Sequence, residues 1–134
     1  MAMTEERFFK GLIAALATRT TYIDARDDRH QAALADVVRC LRQMQLDDHP
    51  GAAGMPRSLR PGPITGKYDE FDDALLNLQD LGYDSAQNPY YTSVELSLSE
   101  RRIARVLGKF SREEQQILET LADTFLKRDL SQSA

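Results

Sequence analysis

Apolar residues in the first third of the chain recur at alternating steps of four and three, and this repeat restricts the fold more than any other sequence feature. Such spacing is typical of one face of an α-helix, here continued over about five heptads. The middle of the repeat is polar, because Thr20, Asp27 and His30 stand where core residues are expected. The full set of positions is Phe9, Ile13, Leu16, Thr20, Ile23, Asp27, His30, Leu34, Val37, Leu41 and Met44.

The polar middle leaves two interpretations of residues 5 to 46. One is a single long helix, which the absence of Gly and Pro between Leu12 and Asp48 allows. The other is a helical hairpin that breaks near "RDDRHQ", where Asp28 and Gln31 have the spacing of a capping box for a second helix. We favour the hairpin.

Residues 47 to 66 contain four of the five prolines and four of the seven glycines, a density that no helix or central strand tolerates. A loop of this length is typically either functional or a linker. The favoured interpretation is a flexible linker between two helical halves. The alternative is a binding loop in which Arg57 and Arg60 contact an acidic partner and Met55 or Leu59 anchors it.

The apolar spacing in the C-terminal part predicts three helices. The first covers about residues 69 to 81, with Tyr68, Phe71, Leu75 and Leu78 forming its apolar stripe. Residues 92 to 98 fit either a short strand or an early helix start, and a sheet is not expected because no partner strand is evident. The next helix ends near Leu107. The last begins at the capping box of Ser111 and Glu114, and its core face is Ile117, Leu118, Leu121, Phe125 and Leu126.

These patterns predict a single all-α domain over residues 1 to 134, a small bundle of four to five helices. Its parts are an N-terminal helical hairpin or long helix at 4–46, a Pro/Gly-rich loop at 47–66, and a C-terminal three-helix part at 67–130. No apolar run approaches the length of about 20 residues that spans a membrane. The N-terminus lacks a signal-peptide pattern and Cys40 is the single cysteine, so we expect a cytoplasmic protein without disulfides.

The charge distribution excludes some functions. The net charge of −4 does not favour nucleic acid, and seven acidic residues between 68 and 98 are accompanied by no Lys or Arg. No phosphate-binding loop, nucleophile elbow or zinc pattern is present. We therefore expect no cofactor, no bound metal and no enzymatic activity. His49 lies in the loop, where fixed catalytic geometry is hard to maintain, and Cys40 fits a small core residue better than a nucleophile.

The leading hypothesis is a protein-interaction module that acts as an adaptor, inhibitor or regulator by binding a protein partner. Its acidic segment, its loop arginines and two tyrosines after a proline turn are the candidate contacts. A homodimer through residues 9 to 44 is a further expectation, and a membrane partner is not expected. The candidate protein-binding residues are Asp69, Glu70, Asp72, Asp73, Tyr90, Tyr91, Arg57 and Arg60.

Two alternatives stay open. Residues 101 to 121 resemble a helix-turn-helix, which implies a DNA-binding transcriptional regulator, although the segment "REEQQ" is acidic for a helix that would enter a DNA groove. The second alternative is an enzyme with a carboxylate metal site near Asp69 and Asp73, which share a helix face. The candidate nucleic-acid contacts are Arg101, Arg102, Arg105, Lys109 and Arg112.

Overall fold

A computed structural model describes residues 3–20, 22–24, 29–57, 59–64, 66, 68–78, 93–95 and 98–131. Five helices and one pair of short strands make up the regular structure in these ranges, and the five helices confirm the predicted all-α bundle. The helices are α1 (Glu5–Ala17), α2 (Arg29–Leu46), α3 (Asp69–Leu78), α4 (Glu100–Leu107) and α5 (Arg112–Ser131), and the strands are β1 (Tyr22–Asp24) and β2 (Ser93–Glu95).

The apolar repeat of the N-terminal part is divided between two helices, so the predicted break is present and the single long helix is wrong. The two helices both pack against α5 and not chiefly against each other, which differs from a simple hairpin. The Thr4 hydroxyl caps α1 by accepting the backbone N–H of Arg7 at 3.2 Å, and Thr18 ends the helix. The break falls in the polar middle of the repeat, where a continuous helix would gain no burial. Asp28, the predicted cap of α2, lies outside the described residues.

The connection between α1 and α2 includes a strand that the helical repeat did not predict. β1 pairs antiparallel with β2, in the register Tyr22 with Glu95, Ile23 with Val94 and Asp24 with Ser93. The expectation that a sheet is absent was therefore wrong in this one place. The partner strand was missed because Tyr22 to Asp24 lie within a helix-like apolar spacing.

Helix α1 lies at the centre of the core that the described residues form. It packs against α3, α4 and α5, while α2 packs against α5. The two predicted halves thus share one core rather than each having its own. Phe9 contacts Phe8 and Phe71 edge-on, with ring centroids 5.3 and 5.8 Å apart, and Phe71 stacks on Phe125 at 6.0 Å.

The Pro/Gly-rich loop is attached to this core along much of its length. Ala52, Met55 and Leu59 are buried in it, so Met55 and Leu59 are not available as anchors for a partner and that expectation was wrong. The Gln45 side-chain amide on α2 donates to the carbonyl oxygens of Ala52 and Met55, both at 3.1 Å. This packing and hydrogen bonding differ from the free linker that the composition suggested.

The corner between α4 and α5 forms as its sequence predicts. Ser99 caps α4, Gly108 ends it, and the reciprocal bonds between Ser111 and Glu114, at 2.8 and 3.1 Å, form the capping box of α5. The Gln115 side chain donates to the carbonyl oxygens of Leu107 at 2.8 Å and Phe110 at 3.1 Å, which fixes the turn. The predicted core face of α5 is buried at all five positions, namely Ile117, Leu118, Leu121, Phe125 and Leu126.

Candidate functional site

Two adjoining clefts meet at Tyr68, just before α3. One is a cavity of about 190 Å³ between the start of α1 and the start of α3, and the other, of about 250 Å³, lies along α2. Leu59, Arg60 and Tyr68 line both, and we call the pair the Tyr68 groove. The first cleft is also lined by Glu5, Phe9, Gly62, Asp69 and Glu70, and the second by Ala35, Val38, Arg39, Arg42 and Pro61.

Tyr68 is held in place from two directions. Its backbone N–H donates to the buried Gln31 side-chain oxygen on α2 at 2.6 Å, and its carbonyl oxygen accepts the N–H of Phe71 at 3.1 Å. Burial raises the pKa of the Tyr68 phenol above its ordinary value, while the positive charges of Arg42 and Arg39 act in the opposite direction. The phenol is thus neutral at physiological pH and lies beside two guanidinium groups.

The groove has charges of opposite sign on its two sides. Glu5, Asp69 and Glu70 line the α3 side, and Arg39 and Arg42 line the α2 side. Arg39 also pairs with Asp36 one turn earlier, and the Arg42 guanidinium donates to the Leu59 carbonyl oxygen at 3.2 Å. Most apolar side chains of the lining are nearly buried, with Leu59 at 2% and Tyr68 at 6% exposure, so the groove presents little apolar surface between its charged sides.

The groove brings together three of the predicted protein-binding residues, Arg60, Asp69 and Glu70. Arg57 is exposed outside both clefts, where its guanidinium lies 3.5 Å from the Ala53 carbonyl oxygen. Asp73 is exposed on α3 but does not line the groove. The Asp72 side chain, Tyr90 and Tyr91 lie outside the described residues.

The groove is also lined by four residues that the sequence did not predict as site residues, namely Glu5, Arg39, Arg42 and Tyr68. Arg39 and Arg42 lie one turn apart on α2, a weak signal that becomes specific only when the loop places Arg60 beside them. Tyr68 was assigned to the apolar stripe of α3, and it is indeed buried, at 6% exposure.

The described residues hold no group of three or more His, Cys, Asp and Glu side chains that could bind a metal ion. The proposed carboxylate site near Asp69 and Asp73 therefore lacks further ligands in this part of the chain. Cys40 is half-buried beside Thr124, whose hydroxyl donates to its sulfur at 3.9 Å, which is the environment of a packing residue.

A third cleft, of about 390 Å³, lies between the end of α2 and the start of α5. Its lining includes His49, whose N–H donates to the Met44 carbonyl oxygen at 2.9 Å and whose carbonyl accepts the N–H of Ala52 at 3.1 Å. The backbone at His49 is therefore fixed, contrary to the expectation for a flexible loop. Met44, Pro50, Glu113, Gln116, Ile117 and Thr120 complete the lining.

The basic residues of the helix-turn-helix-like segment lie on the corner between α4 and α5. Arg101, Arg105, Lys109 and Arg112 are exposed, whereas Arg102 is half-buried. A recognition helix reads bases through outward side chains near its N-terminus. On α5 the exposed side chains that follow Arg112 are acidic or neutral, namely Glu113, Gln116 and Glu119, and α4 packs chiefly against α1. The basic residues of this corner are placed to contact phosphates, but α5 does not present the side chains of a recognition helix that would contact bases.

The homodimer prediction rests on the apolar repeat, and the residues of this repeat pack within the core of one chain. Phe9, Ile13, Leu34, Val37 and Leu41 are all buried in the core, at no more than 1% exposure. Self-association through residues 9 to 44 stays a prediction, and it would have to use the outward side chains of these helices.

Comparison with protein-family models, curated proteins and solved structures found no match. None of the described helices is both long enough and apolar enough to cross a membrane.

Proposed function

We propose that this protein is a small protein-interaction module, an adaptor, inhibitor or regulator that binds a segment of a partner protein in the Tyr68 groove. The observation that carries the proposal is the meeting of Arg60 with Asp69 and Glu70 at one groove. These residues come from the loop and from α3, and the fold places them around one buried tyrosine.

The groove fits an extended segment or a few side chains better than a small metabolite. Both of its cavities are open and smaller than the roughly 300 to 1,000 Å³ typical of ligand pockets, at about 190 and 250 Å³. The opposite charges of its two sides fix the direction in which a charged segment can lie, since like charges in contact would cost binding free energy. The bound segment is expected to place an acidic group on the α2 side.

Quantitative affinity purification from native extract tests this function with two charge reversals, Arg60→Glu and Glu70→Arg, which change groove residues of opposite charge. A partner of the groove is depleted by both variants. Arg57→Glu is the matched control, because Arg57 is exposed on the same loop and lies outside both clefts.

A partner retained equally by the native chain and all three variants would show that the groove is not its binding site. Purified binding partners should then be measured by calorimetry against the same variants. Loss of affinity in Arg57→Glu as large as in Arg60→Glu would point to non-specific attraction and would contradict the proposal.

A further inference from the structure

A second surface, on the corner between α4 and α5, concentrates positive charge on an otherwise acidic chain. Arg101, Arg105, Lys109 and Arg112 are exposed there, and we call these four residues the basic corner. Arg101 and Arg105 are one helical turn apart and therefore project from the same side of α4. The whole chain has a net charge of −4 even with these four cations included.

Among the described residues, none of the four side chains of the basic corner forms an ion pair. Elsewhere in the structure basic side chains do find acidic partners. Lys10 pairs with Glu6 at 2.8 Å and lowers the pKa of that carboxyl, and Arg19 pairs with Asp123. Those two basic side chains are paired with carboxylates, whereas the four of the basic corner form no ion pair among the described residues.

The fold adds a fifth cation that the sequence does not place there. The Arg7 guanidinium on α1 donates to the Lys109 carbonyl oxygen and lies over the Phe110 ring, 5.0 Å from its centroid. This contact brings the positive charge of Arg7 from the start of the chain to the turn that follows α4.

The residues at the centre of the basic corner have small side chains or none. Ala104 and Gly108 are exposed between the cations, one turn apart, so the backbone or side chains of a partner can approach α4 closely. Arginines around a shallow centre can form paired hydrogen bonds with carboxylates.

The surroundings favour an acidic protein segment over nucleic acid. Glu100 and Glu113 adjoin the corner at either end in the sequence, and Glu6 precedes Arg7. A DNA duplex carries a dense and continuous charge, so it would extend beyond the corner and meet these carboxylates and the acidic outward side of α5. A short acidic segment needs to cover only the corner itself.

We propose that the basic corner is a second binding surface, whose ligand is an acidic segment of a protein. It does not depend on the Tyr68 groove, because it uses different residues on a different helix. Its contribution is electrostatic, so binding is expected to weaken as salt rises.

The test is fluorescence anisotropy at low salt with the full chain and two labelled probes, oligoglutamate and a DNA duplex of matched charge. We expect the oligoglutamate to bind more tightly than the duplex. Arg101→Glu combined with Arg105→Glu should weaken oligoglutamate binding by about tenfold or more, since two attractions become two repulsions.

The matched control is Arg57→Glu combined with Lys127→Glu, which changes the net charge equally at exposed positions outside the corner. Circular dichroism checks that each variant is folded, and Arg101→Gln with Arg105→Gln gives a milder change. Tighter binding of the duplex would replace the proposal with a nucleic-acid site. Equal losses in the control, or no loss in Arg101→Glu with Arg105→Glu, would overturn it. Loss of oligoglutamate binding in Arg60→Glu alone would assign the probe to the Tyr68 groove instead.

Discussion

The ring of Phe110 lies directly against Gly11, in the middle of α1. A Cβ atom at position 11 would come within 2.6 Å of the Phe110 Cζ atom and 2.8 Å of the Leu118 Cδ1 atom. Glycine is unfavourable within a helix, so its presence here is explained by packing rather than by helix propensity. This contact attaches the turn between α4 and α5 to the central helix.

Gly11→Ala is expected to destabilise the protein, although alanine is the better helix former. The propensity gain is about 1 kcal/mol, whereas overpacking of a filled core costs about 1 to 3 kcal/mol. Chemical denaturation should therefore show a lower free energy of unfolding. In the Phe110→Leu background the penalty should shrink, because the ring that collides with the new methyl group is gone. A more stable Gly11→Ala protein would contradict this packing.

Asp48→Gly is expected to stabilise the protein. Asp48 lies two residues after α2 with φ at 53°, a left-handed conformation, and the His49 backbone N–H donates to the Met44 carbonyl oxygen of the last helical turn. Glycine removes a steric cost of about 1 kcal/mol at such a position. In thermal unfolding, the Tm of Asp48→Gly should be higher than that of the native chain, and the Tm of Asp48→Ala should be equal to it or lower. The reverse order would mean that the turn is not left-handed.

Gln45→Met is expected to release the loop from α2. The Gln45 side-chain amide donates to the Ala52, Met55 and Pro56 carbonyl oxygens at 3.1, 3.1 and 3.3 Å. Partly buried acceptors left without donors cost about 1 to 3 kcal/mol. Hydrogen exchange should rise in residues 49 to 57 and the free energy of unfolding should fall.

The matched control for that change is Gln43→Met. Gln43 lies on the same helix, but its amide reaches only the exposed Asp47 carboxylate, at 3.2 and 3.3 Å. Its substitution should change stability little. Equal effects of the two substitutions would show that the three bonds of Gln45 contribute nothing specific.

Sequence patterns predicted the helices best where local chemistry defines the ends. The capping box of Ser111 and Glu114 and the apolar face of α5 were both recognised, because spacing alone determines them. The pairing of β1 with β2 was missed, because each strand is three residues long and their partners are distant in sequence.

The candidate site was predicted only in part, for a related reason. Arg60, Asp69 and Glu70 were singled out by charge and by loop composition. Their neighbours Arg39 and Arg42 belong to a helix whose outward charges look like an ordinary solvated face. Only tertiary packing, with Leu59 buried and Arg42 bonded to its carbonyl oxygen, brings the loop to that face. No local pattern encodes such a contact.

Tyr68 is expected to make stability fall at alkaline pH. Burial raises the pKa of the Tyr68 phenol in the folded chain above the value of about 10 that applies to the unfolded chain. Between these two pKa values the folded state binds more protons than the unfolded state. The contribution of Tyr68 to the free energy of unfolding is therefore fully present below about pH 10 and is lost as pH rises through the folded pKa.

Tyr68→Phe removes this contribution while keeping the buried ring. The free energy of unfolding, measured in urea from neutral to alkaline pH, should therefore decline less in Tyr68→Phe than in the native chain. Parallel declines in both proteins would show that Tyr68 ionises as freely as in the unfolded chain, and would contradict its burial beside Arg39 and Arg42.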